Sequence, residues 1–246
     1  MKTTMRLAAA VLAAAPSIVA ADHTDVAVVT YRAVYQAEYK GKSLGTSQFS
    51  VSYDDAREVY RFESQTTAKG LLKLAMPNPV IERSDFRVHG GAVQPLEFWY
   101  EDGSRKGEDN LHIVFDWDNS VAVVVGQAGR SELRLEAGAL DRGSMQVALM
   151  HDLAGSGRPG RYLLLDDDSL KPYEYSANGE LIVTTGVGDL QTLAFVQQRE
   201  NSSRSTHLWV APQLQYLPVR IEQHRNGEIR TAFTLESVEG LTPQAP

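Results

Sequence analysis

The sequence predicts an all-β chain: a strongly curved antiparallel meander, shaped as a half-barrel, a spiral or a clam-like sheet, with one short amphipathic helix across it. Three observations lead there. Apolar residues recur at every second position over most of the chain, the period of a half-buried strand. Turn-forming pairs separate these runs: Gly90-Gly91, Asp118-Asn119, Asn178-Gly179 and Asn226-Gly227, and Asn-Gly in particular supplies the positive φ values of a two-residue hairpin. Finally, about fifteen such runs cannot lie in one flat sheet, because strand twist accumulates until the sheet curls, splits or closes.

The first element is an address. Lys2 and Arg6 form a positive start, Leu7 to Ala15 an apolar run, and Pro16 breaks it before small residues, the order of regions in a secretory signal. Cleavage after Ala21, with Val19 and Ala21 at the −3 and −1 positions, defines a signal peptide over 1–21 and a single β-rich envelope domain over 22–246; cleavage after Ala20 and a buried N-terminal helix of a cytosolic protein are the alternatives. The apolar run is far shorter than the about 20 residues that span a bilayer, so no transmembrane segment is expected. The chain has no cysteine, which removes a lipid-anchored cysteine and any need for disulfides. Periplasmic localisation follows.

After the leader, Val29, Tyr31, Ala33, Tyr35, Ala37 and Tyr39 alternate with Thr30, Arg32, Gln36 and Glu38 as one long strand. The same alternation predicts strands over 46–53, 58–68, 80–89, 93–100, 110–117, 121–126 and 131–136. The period then changes over 141–153, where Met145, Ala148, Leu149 and Asp152 fall at helical spacing. Asp141 or Ser144 is placed to accept from the free amides of the first turn, and Gly155 to stop the helix. In a β chain the stripe of Met145, Ala148 and Leu149 has only the concave sheet to bury itself against. A flexible link, 155–160, joins this helix to strands over 160–165, 172–176, 180–187, 190–200, 206–211, 219–225 and 228–238.

Five segments carry a resemblance: Gly91-Ala92-Val93-Gln94-Pro95 before an aromatic strand, Asp116-Trp117, Leu140-Asp141-Arg142-Gly143-Ser144, Leu208-Trp209, and Leu217-Pro218-Val219-Arg220. Together they make the stretch from about Tyr31 to Val238 resemble the bacterial envelope family called domain of unknown function 3108. Gly143 departs from the pattern, standing where a larger apolar residue is expected. The resemblance implies an exported, β-rich, Gram-negative envelope protein and transfers no catalytic residue. The fold is also similar to half-barrel lipoprotein carriers and spiral-sheet envelope-integrity proteins, by analogy alone.

Composition and motifs narrow the chemistry. The formal charge is −7; without Lys2 and Arg6 it becomes −9, with 22 basic residues against 31 acidic, a poor match for nucleic acid. No Gly-x-Ser-x-Gly elbow, His-Glu-x-x-His pair or phosphate loop occurs, and the six histidines are scattered, so the nucleophile and base of an enzyme site are not apparent. Asp166-Asp167-Asp168-Ser169 lacks the spacing of a calcium loop and reads as a solvated turn. Asp116 and Asp118 could do acid-base work on a sugar, but a turn in which Asp116 binds backbone amides explains them better. No cofactor or metal is expected.

What remains is apolar surface. A curved sheet of this size exposes more concave area than one helix covers, which is how a ligand pocket forms. Tyr35, Trp99, Trp117, Met145, Leu149 and Trp209 are the expected pocket lining, with Trp99 and Trp209 as the wall facing the helix or lining the cavity beside it; filling a core is the competing role for all six. The loop 70–77 adds Leu71, Leu72, Leu74 and Met76 to the surface, a pattern that often meets a partner. The functional expectation is a non-enzymatic envelope protein that binds or carries an apolar ligand such as a lipid or acylated peptide. Its alternative is an interaction factor for envelope integrity or virulence signalling, with no small ligand.

Overall fold

The structure, a computed structural model, describes residues 27–70, 72–166, 169–198 and 202–242. The expected leader and its cleavage site lie outside the described residues, as do His23, Leu71, Asp167 and Asp168. In chain order the elements are β1 (Tyr31–Tyr39), β2 (Lys42–Asp54), β3 (Val59–Ala68), the single turn α1 (Leu72–Ala75), β4 (Val80–His89), β5 (Ala92–Glu101), β6 (Leu111–Asp116), β7 (Val121–Gly126), β8 (Gly129–Arg134) and β9 (Ala139–Leu140). Then come α2 (Arg142–Ser156), β10 (Tyr162–Asp166), β11 (Ser169–Tyr173), β12 (Tyr175–Thr185), β13 (Gly188–Gln198), β14 (Arg204–Ala211), β15 (Leu217–Arg225) and β16 (Glu228–Glu239).

The alternation in the sequence becomes the two faces of a sheet. On β1, Tyr31, Ala33, Tyr35 and Ala37 are buried, whereas Arg32, Gln36 and Glu38 meet water, because successive strand residues point to opposite sides. Thirteen strands form one antiparallel sheet, ordered β12 to β16 and then β1 to β8. The expected meander is therefore present as two runs, and they join where β1 pairs with β16. The sheet does not close into a barrel; β12 and β8 are its edges. Between the two runs, the chain builds a second, three-stranded sheet, β11-β10-β9, in which β9 and β10 are parallel and α2 is the crossover between them.

Asp141 caps α2. Its carboxylate accepts from the Ser144 amide at 2.8 Å while Ser144 Oγ accepts from the Asp141 amide at 3.0 Å, a reciprocal box that satisfies two otherwise open donors. Ser84 of β4 donates to the other carboxylate oxygen at 2.7 Å and fastens the helix start to the sheet. The helix ends later than expected: Gly155 lies inside it, and Gly157 is the left-handed cap, at φ 69°. Gly143, Ser144, Met145, Val147, Ala148, Leu149, Met150 and Leu153 are all buried, more than one stripe can supply. The reason is that α2 contacts β3, β4 and β5 on one side and β10 of the small sheet on another.

Gly143 proves to be a fit. A Cβ there would stand 2.7 Å from Phe62 Cδ1 and 2.9 Å from Ser84 Cβ, so any larger residue collides with the sheet that the cap is fastened to. A second departure concerns Asn178-Gly179, expected to turn a hairpin. The pair lies inside β12, where the pairing with β13 shifts register between Ala177 and Glu180 and Gly179 takes φ 87°. The positive φ is used for a bulge instead of a turn. Asn226-Gly227, with φ 55° and 77°, does turn the β15–β16 hairpin. The strand expected over 172–176 is divided at Glu174, because Tyr173 ends β11 in the small sheet and Tyr175 begins β12 in the large one.

Candidate functional site

One end of the concave face is packed and the other is open. Helix α2 lies over the inner face around Phe62, Phe86 and Val51, and Leu149 and Leu153 are fully buried there. Toward its N-terminus the helix stops short of the ends of β1, β3, β5, β14 and β16. A cavity of about 1200 Å³ remains between Met145 and Gln146 of the helix and the sheet, lined also by Leu164 and Tyr173 of the small sheet. Pockets that hold small ligands measure about 300–1,000 Å³, so this space is generous.

Strand parity builds its walls. Phe49 of β2, Phe233 of β16, Ile221 of β15 and Leu208 of β14 line an apolar floor, and register places them on one face of four nearby strands. Behind it, the Tyr35 ring packs 4.7 Å from the Phe49 ring and its hydroxyl donates to the Pro218 carbonyl at 2.8 Å; burial raises the Tyr35 pKa well above its ordinary value. On the far wall Arg142, the first residue of α2, lies over the Tyr100 ring at 4.4 Å and pairs with Glu82 at 3.4 Å. Gln146 donates to the Tyr31 hydroxyl at 3.2 Å. The concave face was expected to be apolar; its cavity is lined by polar and charged groups as well as by this floor.

Of the six expected lining residues, the structure brings only Met145 to the cavity wall. Tyr35 is one layer behind it, and Leu149 lies under the body of the helix. Trp117 stacks on Phe115 at 6.2 Å and donates its indole N–H to the Pro95 carbonyl at 2.6 Å, filling the second core cluster.

Trp99 and Trp209, expected to face the helix or line the cavity beside it, do neither and point away from the helix. Trp99 is on the opposite face of β5 from Phe98 and Tyr100, stacked on His112 at 5.4 Å. Nearby on β4, burial alone would raise the pKa of Asp85, but hydrogen bonds from Arg61 and Arg57 hold it below the usual carboxylate range. Trp209 is opposite Leu208 on β14, beside His207 and under Arg220 at 5.9 Å. There too burial opposes ionisation, and His224 and Arg220 hold Glu222 below its ordinary value. Both tryptophans are half-buried on the outer face, and Trp209 also packs against the main core cluster.

The smaller motifs are structural. Asp116 accepts from the side chain and backbone of Asn119 at 2.7 and 3.0 Å, which hold its pKa low and close the turn. Among the described residues no cluster of His, Cys, Asp or Glu is placed to hold a metal ion, and no helix is long and apolar enough to cross a membrane. From the apolar loop, Met76 reaches the cavity while Leu74 stands 74% exposed. The floor residues were missed in sequence although alternation marked them: Phe49, Leu208, Ile221 and Phe233 each occupy an inward position of their strand.

Comparison with solved structures finds a β-barrel-like protein of the DUF1849 domain family from Brucella abortus, at 11% identity and a TM-score of 0.49, covering 86% of this chain and 98% of that one. A second is the Pseudomonas aeruginosa MucA/MucB complex, at 8% identity and a TM-score of 0.35, covering 85% of this chain and 51% of that one. Comparison with curated proteins gives no match. The model of a protein family of unknown function, DUF3108, matches residues 31–234, a span that runs from the first strand of the large sheet into the last and takes in the α2 cap and the cavity floor. The chain belongs to the DUF3108 family.

Proposed function

We propose that this is an exported, non-enzymatic envelope protein of the periplasm that binds or carries a ligand with an apolar chain, a lipid or an acylated peptide. One observation carries the reading: the concave sheet holds a cavity of about 1200 Å³ over an aromatic and aliphatic floor, which α2 leaves open. Burying a 14-carbon chain gains about 0.8 kcal/mol per methylene, and association costs an estimated 4–15 kcal/mol. Terms of similar size suit a reversible carrier. The ordered charged, apolar and small-residue regions of 1–21 support export.

The test is titration with a fluorescent acyl probe such as dansyl-undecanoic acid. Thr206 lines the cavity between Gln197 and Gln223 of the neighbouring strands, so Thr206→Trp places an indole in the ligand volume. Probe affinity is expected to fall about tenfold or more, the equivalent of one lost large apolar contact. Trp99→Ala and Trp209→Ala, on the outer face, should bind the probe as the parent does. Equal binding by the parent and Thr206→Trp would refute a ligand in the cavity. A second reading, contact with a protein partner, has one feature in its favour: edge strand β12 exposes Leu181 and Ile182, and free strand edges accept added strands. It requires a partner bound with equal affinity by the parent and Thr206→Trp.

A further inference from the structure

Resting on that reading, we infer that the ligand is an amphiphile with an anionic head, a phosphate or carboxylate, held at the mouth of the cavity by Arg204, Arg225, Arg230 and Lys40. The chain is acidic, with 24 basic and 31 acidic residues, yet these four cations line the cavity together. They come from one end of four neighbouring strands. Arg204 begins β14, Arg225 ends β15, Arg230 is near the start of β16, and Lys40 follows β1. Sheet order places β14, β15, β16 and β1 side by side.

Their pairing is what an anion site needs. Arg204 and Arg225 are direct cross-strand partners, with Cβ atoms about 5 Å apart in such a pair, an arrangement that opposes two like charges. Among the described residues, neither of them nor Lys40 has a carboxylate in ion-pair range. Glu228 serves Arg230 alone, at 3.4 Å. The Nε of Arg230 is buried without a hydrogen-bond acceptor, although buried donors are nearly always satisfied. Elsewhere in the cavity wall Arg142 pairs with Glu82 and Asp166 with Lys171, and the one lining carboxylate without an ion pair among the described residues, Asp109, belongs to the segment before β6, away from these four strand ends. A phosphate or carboxylate between Arg204 and Arg225 would relieve their repulsion and match the forked geometry of guanidinium groups. The floor of Leu208, Ile221 and Phe233 continues inward from Arg204, Arg225 and Arg230 along the same three strands, so a head at the mouth leads its chain directly onto apolar surface.

The experiment compares monomyristoylglycerol with its phosphate monoester, both below their micelle concentrations, and with inorganic phosphate, by calorimetric titration of the full chain. The phosphate monoester is expected to bind about ten- to a hundredfold tighter than the neutral lipid, the equivalent of one charge-assisted hydrogen bond. The double variant Arg204→Gln/Arg225→Gln should abolish that preference and leave binding of the neutral lipid unchanged. Arg158→Gln/Arg161→Gln, exposed and remote from the cavity, should keep the preference. Equal binding of both lipids by the parent overturns the anionic head and leaves the carrier reading standing. Binding of neither lipid overturns both. Inorganic phosphate binding as tightly as the lipid ester overturns the amphiphile in favour of a free anion. A double variant that retains the preference overturns the assignment of these arginines. Both are exposed at strand ends, so the variant should keep the parent's circular dichroism and melting temperature.

Discussion

Gly143→Val is expected to destabilise the protein by about 3 kcal/mol, at the upper end of the range for overpacking a close contact. Its new side chain would enter the space of Phe62 and Ser84. Both belong to strands that cannot retreat: Phe62 is in the main core cluster, and Ser84 is buried and bonded to the Asp141 cap. The helix must then lift, which breaks the Ser84–Asp141 bond and loosens Leu149 and Leu153 beneath. Gly143→Ala adds only the Cβ and recovers about 1 kcal/mol of helix propensity, so it should cost clearly less. Urea unfolding of the three proteins measures the series; a Gly143→Val variant as stable as the parent would show that the helix does not approach the sheet as closely as described.

The cap itself should produce the second large effect, and one that depends on pH. Burial raises the pKa of Asp141 from 3.8 to about 6, against the opposing pull of bonds from Ser144, Ser84 and Gly143. The folded protein therefore binds a proton at Asp141 more tightly than the unfolded chain does. By linkage, Asp141's contribution is fully favourable below about pH 4, is lost as pH rises through about 6, and is constant above that. The change is about 3 kcal/mol across that window. Asp141→Asn should erase this slope and cost little at neutral pH, since its amide can accept from the Ser144 N–H and donate to Ser84 Oγ. Asp141→Ala should cost about 2–3 kcal/mol at all pH values above 6, losing the cap and stranding buried Ser84. Melting temperatures of parent and both variants between pH 4 and 8 decide this; a parallel pH dependence in the parent and Asp141→Asn would contradict it.

What could be read in the sequence was local. Alternation located the large strands, since a strand that is wet on one side writes its period directly into residue order. Asp141 and Ser144 marked the helix start because a cap is made within four residues. The pairing of β1 with β16 had no such mark: it joins residues about two hundred positions apart, and no turn chemistry encodes it. Asn178-Gly179 misled because its positive φ serves a bulge as well as a turn. The tryptophans are a different lesson. Alternation already put Trp99 on the face opposite Phe98 and Tyr100, and Trp209 opposite Leu208, yet their size suggested the pocket; parity was the better guide. The cationic mouth was invisible in one dimension, since Lys40, Arg204, Arg225 and Arg230 are unremarkable singly and meet only through sheet order.

Native mass spectrometry of the full protein, purified without detergent from the envelope of its own cells, tests the carrier reading most directly. The expected spectrum shows the mature chain carrying an adduct of a few hundred daltons or more, removed by organic extraction, recovered in the extract as an acylated molecule, and depleted in Thr206→Trp but not in Trp99→Ala. A parent spectrum of bare polypeptide under conditions that preserve its fold, with no acylated molecule in the extract, would contradict it.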